Sequence, residues 1–187
     1  MPSRSIIGSA VVPFRLVFLM WAVFFVDQLM PYVALNSFGI IPRTPIGIIG
    51  IFTGPMLHGS LAHLISNTVP LLFLGAVLFY VYNYIALSVF LRAYFWTNVL
   101  VWLFARDANH IGASGLVYGL AFFLIFFGIF RRDFLSIIIS IIVILLYGGV
   151  FYGILPSDPR VSWESHLGGA LVGVSTAVTY SKQKKVS

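Results

Sequence analysis

Residues 134–155 contain no charged side chain, and neither do 61–82 or 112–130. A bilayer-crossing helix needs about 20 such residues, so a chain built from runs of this kind folds in lipid or not at all. Composition agrees: 60% of residues are apolar, 9% are charged and mean hydropathy is +1.02. The expected class is an all-α, polytopic membrane protein. Spans are expected near 11–30, 61–82, 85–105, 112–130, 134–155 and 165–180, six helices in a single membrane domain covering 1–187. With short connections between them, these leave no room for a separate soluble domain. The first run lacks a small-residue cleavage site after it and reads as a retained helix rather than a signal peptide. There is no cysteine, which excludes disulfides and thiol chemistry.

Residues 31–60 form a long connection, rich in Gly and Pro, that carries a single charge, Arg43. Lipid tolerates irregular backbone only under protein cover, so this loop is expected to pack on the bundle. Pro70 predicts a kink or a broken hydrogen-bond ladder in the second span. Arg92, inside the third, is expected to snorkel or to find a partner in the bundle, and Asp27 to reach the interface or pair within it. Net charge is +6, which reads as membrane orientation rather than nucleic-acid binding. Arg4, Arg131, Arg132, Lys182, Lys184 and Lys185 collect on one side, and Arg43, Arg106 and Arg160 on the other. The bias predicts that both termini are cytoplasmic.

The second, fourth and sixth spans then all begin on the outer side, and each carries polar residues at its head. These are His58, His63 and Asn67; Gly112-Ala113-Ser114-Gly115 with Tyr118; and His166. His63 and Asn67 share a helical face, as do Ser114 and Tyr118. Gly115 and Gly119 on the fourth span, and Gly169 and Gly173 on the sixth, are small faces that let two membrane helices touch. Ser114 and His166 are thereby expected within hydrogen-bond reach, as the nucleophile and base of acyl transfer. Taken singly, each residue also has a structural reading. A serine in Gly-Ala-Ser-Gly packs helices, a histidine in a span bonds its neighbour, and Tyr118 fills core. His110 reads as interfacial and Glu164 as a solvated loop charge facing away from His166. What those readings leave unexplained is the shared depth of a serine, two histidines and an asparagine.

The string His58-Gly59-Ser60-Leu61-Ala62-His63-Leu64-Ile65-Ser66-Asn67 resembles the HGSxxHLxxN signature of the rhomboid intramembrane serine proteases. Gly112-Ala113-Ser114-Gly115 with Tyr118 is similar to their GxSG motif, and His166-Leu167-Gly168-Gly169 with Gly173 to their HxxGxxxG helix. The likeness covers about residues 50–180 and implies the minimal six-helix bacterial type, placed in the cell membrane. It implies Ser114 as nucleophile, His166 as general base and acid, and Tyr118 packed on the imidazole. His63 and Asn67 would stabilise the oxyanion with the Ser114 N–H, and His58 would support the long first loop. It further implies cleavage of single-pass transmembrane proteins near the outer membrane face. No cofactor or metal is implied, and the partners are transmembrane substrates and the lipid bilayer. The loop 156–165 and the glycine-loosened end of the fifth span are the expected moving parts.

The chain departs from many bacterial members in having no Trp-Arg pair in residues 31–57. Two other classes share the topology. A non-catalytic relative that escorts membrane proteins would have no reason to keep both Ser114 and His166. A transporter would show a repeated half with paired broken helices and an acidic relay, neither of which is visible beyond Asp27. The HExxH zinc motif and a pair of intramembrane aspartates are both absent.

Overall fold

The computed structural model describes residues 5–183. The basic residues Arg4, Lys184 and Lys185 of the orientation count lie outside them. Helix α1 spans Ile6–Leu29, capped by the Ser5 side chain, which accepts from the Gly8 N–H. It therefore starts earlier than the sequence pattern suggested, because a polar cap precedes the apolar run. The connection that follows is ordered rather than loose. Two 3-10 turns lead to α2 (Pro45–Thr53), started by Thr44 as cap and Pro45 in the first turn, and a third turn covers Gly54–Met56.

Helix α3 (Leu61–Val81) runs antiparallel to α1 and passes through Pro70 without ending. Gly75 sits against Pro13, and the Trp21 indole donates to Thr68 Oγ1 at 3.0 Å. After Tyr82, α4 (Asn83–Phe104) returns across the bundle. Helix α5 (Ser114–Arg131) is the central element: Leu120, Phe123, Leu124 and Phe127 are fully buried, and it is apolar on nearly every face. Arg132 closes it in the left-handed region (φ +61°), and Asp133 at once caps α6 (Phe134–Tyr147) by accepting from the Ser136 N–H at 3.1 Å.

The fifth span differs from the expected 134–155. Helix α6 stops at Tyr147, Gly148 and Gly149 follow, and a single turn, α7 (Val150–Gly153), completes the segment. Its 14 residues rise about 21 Å, short of a full hydrocarbon crossing. Gly148 and Gly149 keep right-handed helical dihedrals, so the ladder loosens there without a change of direction, and Gly153 makes the tertiary contact described below. Helix α8 (Trp163–Ser181) is the least apolar of the six long helices and is wedged between α5 and α4. By length and composition alone, α1, α3, α4 and α5 can cross a membrane. Among the described residues every regular element is helical apart from an isolated bridge between Ile40 and His110.

The first loop packs on the bundle through its own set of anchors. From α4, Asn98 donates to the Ile51 carbonyl at 2.9 Å, Tyr94 to that of Phe52 at 2.5 Å and Trp102 to that of Thr44 at 3.0 Å. Arg43 caps the Ala105 carbonyl at 2.8 Å and pairs with Asp107. Asp27 accepts from Asn36 at 2.9 Å, which ties the same loop to the end of α1. A loop carbonyl facing lipid has no water to turn to, so each side-chain donor replaces a solvent bond.

Candidate active site

Three helix starts meet below the first loop. Ser60 caps α3 by accepting from the His63 N–H at 3.2 Å, which sets the phase that turns His63 and Asn67 inward. Gly112 holds φ +105°, and a Cβ there would stand 2.5 Å from His63 Nε2, so glycine is needed on both counts. That turn delivers Ser114 as the first residue of α5. His166 comes from the first turn of α8.

His166 Nε2 lies 3.0 Å from Ser114 Oγ, and its Nδ1 lies 2.8 Å from the Gly153 carbonyl oxygen. A carbonyl can only accept, so Nδ1 carries the proton and Nε2 is left with its lone pair facing the hydroxyl. The Tyr118 ring stacks on the imidazole at 4.0 Å between centroids and 6° between planes. Asn67 is buried and donates from its amide to the His63 carbonyl at 2.9 Å. Gly115 and Gly119 face Gly169 and Gly173 across the α5–α8 contact: a Cβ on Gly169 would meet the Gly115 carbonyl and stand 3.0 Å from the Gly119 nitrogen. A cavity of about 700 Å³ opens over the pair, with His63, Asn67, Ser114, Tyr118 and His166 in its wall.

His58 does not reach that cavity. It is 1% exposed, its Nδ1 is 3.3 Å from the Met56 carbonyl of the first loop, and its ring lies edge-on to His63 at 4.9 Å. Burial, with the His63 imidazole beside it, lowers its pKa to about 4, against a partial offset from the Met56 carbonyl. His58 is thus neutral when folded, whereas an unfolded histidine protonates near pH 6.5. Its contribution to stability is complete above pH 6.5 and is lost as pH falls from there toward 4. Thermal unfolding of the purified protein should show a steeper loss of Tm across that window than a His58→Asn variant, and equal slopes would exclude the assignment.

Two residues lie elsewhere than their sequence reading placed them. His110 is buried rather than interfacial: its ring bonds Ser162 Oγ at 2.6 Å and the Arg106 carbonyl at 3.0 Å, while its backbone pairs with Ile40. Glu164 is not solvated. Its side chain is 10% exposed and faces Arg106 at 3.4 Å, and neither carboxylate oxygen has a hydrogen-bond donor. Arg106 also donates to the Pro159 and Val161 carbonyls, both at 2.8 Å, strapping the loop before α8 across the cavity mouth. Sequence reasoning also missed Gly153, whose carbonyl fixes the His166 tautomer; a backbone acceptor leaves no side-chain signal, and the glycine cluster at 148–153 was its only trace.

Removing Arg106 alone would strand a shielded carboxylate, which costs more than removing the pair. Arg106→Gln should therefore lower Tm by more than the double variant Arg106→Gln, Glu164→Gln does. Additive losses in that cycle would show that the two side chains are not coupled.

The fold and site define a helical membrane protein with a serine–imidazole pair in the wall of a largely apolar cavity. The Rhomboid domain profile matches residues 45–183, and the chain belongs to the rhomboid family, whose members are intramembrane serine proteases. It is similar to an uncharacterized protein of Mycobacterium tuberculosis, 32% identical over 97% of this chain and 79% of the relative. An uncharacterized protein of Mycobacterium bovis aligns to the same extent, and one of Mycobacterium leprae is 34% identical over 89% of this chain and 69% of its own length.

Proposed function

We propose that the chain is an intramembrane serine endopeptidase acting through Ser114 and His166, with single-pass transmembrane proteins as substrates. The observation that carries this reading is the directional bond network Gly153 carbonyl, His166, Ser114. Serine attacks the scissile carbonyl carbon as Nε2 takes its proton, and the tetrahedral oxyanion forms within the cavity. His166 then gives that proton to the leaving amine, and water repeats the sequence to release the acyl group.

Donors for the oxyanion come from the Ser114 backbone N–H, which as the first residue of α5 has no intrahelical partner, together with His63 and Asn67. Such donors act strongly because they are already aimed at the developing charge; losing one typically costs about 10²–10³ in rate. The site lies at the ends of α3, α5 and α8 that share one face of the bundle, which favours cleavage near that membrane surface. The charge bias favours the outer surface, with both termini cytoplasmic. A substrate helix must unwind to present its backbone, and the Arg106-strapped loop is the barrier it has to displace. Purified protein in liposomes with a single-pass substrate should yield a cut near the outer end of the segment, and Ser114→Ala should yield none. Equal cleavage by both forms would end this reading.

A further inference from the structure

Arg92 stands nine residues past the first residue of α4, about 13 Å into the helix, and is exposed on its outward face. Long side chains on a helix lean toward its N-terminus. The guanidinium does so here and lies over the Tyr180 ring at 5.5 Å, one residue before the end of α8. The charge is thereby brought toward the end of the bundle where α4 begins and α8 ends, and so toward the headgroups of that leaflet.

Among the described residues no carboxylate meets it. All five side-chain carboxylates are engaged elsewhere: Asp27 with Asn36, Asp107 with Arg43, Asp133 with Arg131, Asp158 with Arg160 and Glu164 with Arg106. The Tyr180 hydroxyl is spent on Ser88 at 2.9 Å. Among the described residues, Arg92 makes no hydrogen bond to protein, so its five N–H donors face outward over an aromatic platform. Above it, Leu91, Phe95 and Trp96 stay exposed toward the bilayer centre, and the exposed Lys182 follows the last residue of α8.

We propose that Arg92, seated on Tyr180 with Lys182 at the same helix end, binds the phosphate of an anionic phospholipid. A guanidinium matches two phosphate oxygens at once. The acyl chains of the same molecule cover the apolar strip above, which a soluble anion would leave bare. Zwitterionic lipids fit less well, because their ammonium group meets two cations. The inference is independent of the peptidase reading.

Trp96 lies one turn above Arg92 on the same face and reports on the bound chains. Its emission is obtained by subtracting that of a Trp96→Phe variant. In mixed bilayers, chain-brominated phosphatidylglycerol should quench it with about 5-fold preference over brominated phosphatidylcholine. Arg92→Gln should remove the preference, and Arg92→Lys, which keeps charge but loses the fork, should retain about half of it. Excess inorganic phosphate should leave the preference unchanged. Equal quenching by the two lipids would overturn the proposal, as would a preference that survives Arg92→Gln. Abolition by inorganic phosphate would assign the site to a soluble anion and overturn it equally. Circular dichroism of each variant confirms folding, and the lysine variant keeps the test decisive if the glutamine one fails to fold.

Discussion

Replacing His166 with alanine is expected to slow both peptide turnover and fluorophosphonate labelling of Ser114 by about 10⁴-fold or more. A serine hydroxyl is a poor nucleophile until a neighbouring base takes its proton, and the only imidazole nitrogen bonded to Ser114 Oγ is His166 Nε2, at 3.0 Å. Loss of either partner removes the same step, so Ser114→Ala, His166→Ala and the double variant should be nearly equal. Labelling mapped to a serine other than Ser114, or full labelling without His166, would refute the pair. The Gly153 carbonyl cannot be deleted, but a Cβ on Gly153 would collide with the Tyr118 phenol. Gly153→Ala should therefore displace the ring stacked on the imidazole and reduce kcat while the serine and histidine remain.

The second large effect is expected at the α5–α8 contact. A Cβ on Gly169 would strike the Gly115 carbonyl, and one on Gly173 would stand 2.9 Å from the Phe123 nitrogen and 3.0 Å from the Phe122 Cβ. Backbone cannot turn aside as a side chain can, so the helices must separate. Ser114 and His166 ride on these same helices, next to the contact, and a displacement of about 1 Å in catalytic groups can cost about 10² in rate. Spacing in the sequence suggests a graded loss, with valine much worse than alanine. The structure sharpens this: the first carbon already meets backbone, so alanine at Gly169 should take most of the loss and valine should add to it. Gly149, which has nothing within 4 Å of a built Cβ, provides the control, and alanine there should leave kcat unchanged. Full activity in both Gly169→Val and Gly173→Val, at matched Tm, would show that this face does not set the catalytic distance.

The helical bundle and the depth of its polar residues were legible because both are one-dimensional. A span must be apolar over a fixed length, and a polar residue at its head lies at a depth fixed by the rise per residue. The spacing of Ser114 from Tyr118, His63 from Asn67 and the paired glycines follows from helical periodicity alone, and so does the prediction that two glycine faces bring the fourth and sixth spans together. Where the fifth span ends was not legible. Residues 148–155 are apolar enough to continue a regular helix; the structure loosens them at Gly148 and Gly149 into a separate turn, whose last residue, Gly153, meets Tyr118 and His166. The fates of Glu164 and His110 belong to the same category. Each is a short polar residue beside a loop, solvated by any local rule, and its burial depends on Arg106 and Ser162, which lie more than 50 residues away in the chain.

Sequence by itself determined the class of fold, the number of long helices and the residues that share a depth, since those depend on hydropathy and period. Tertiary structure decided which nitrogen of His166 is free, which carbonyl holds it, what straps the loop and that Arg92 lies over Tyr180. These depend on atoms brought within about 3 Å by packing, a distance at which hydrogen bonds and charges are decided and which no local pattern specifies.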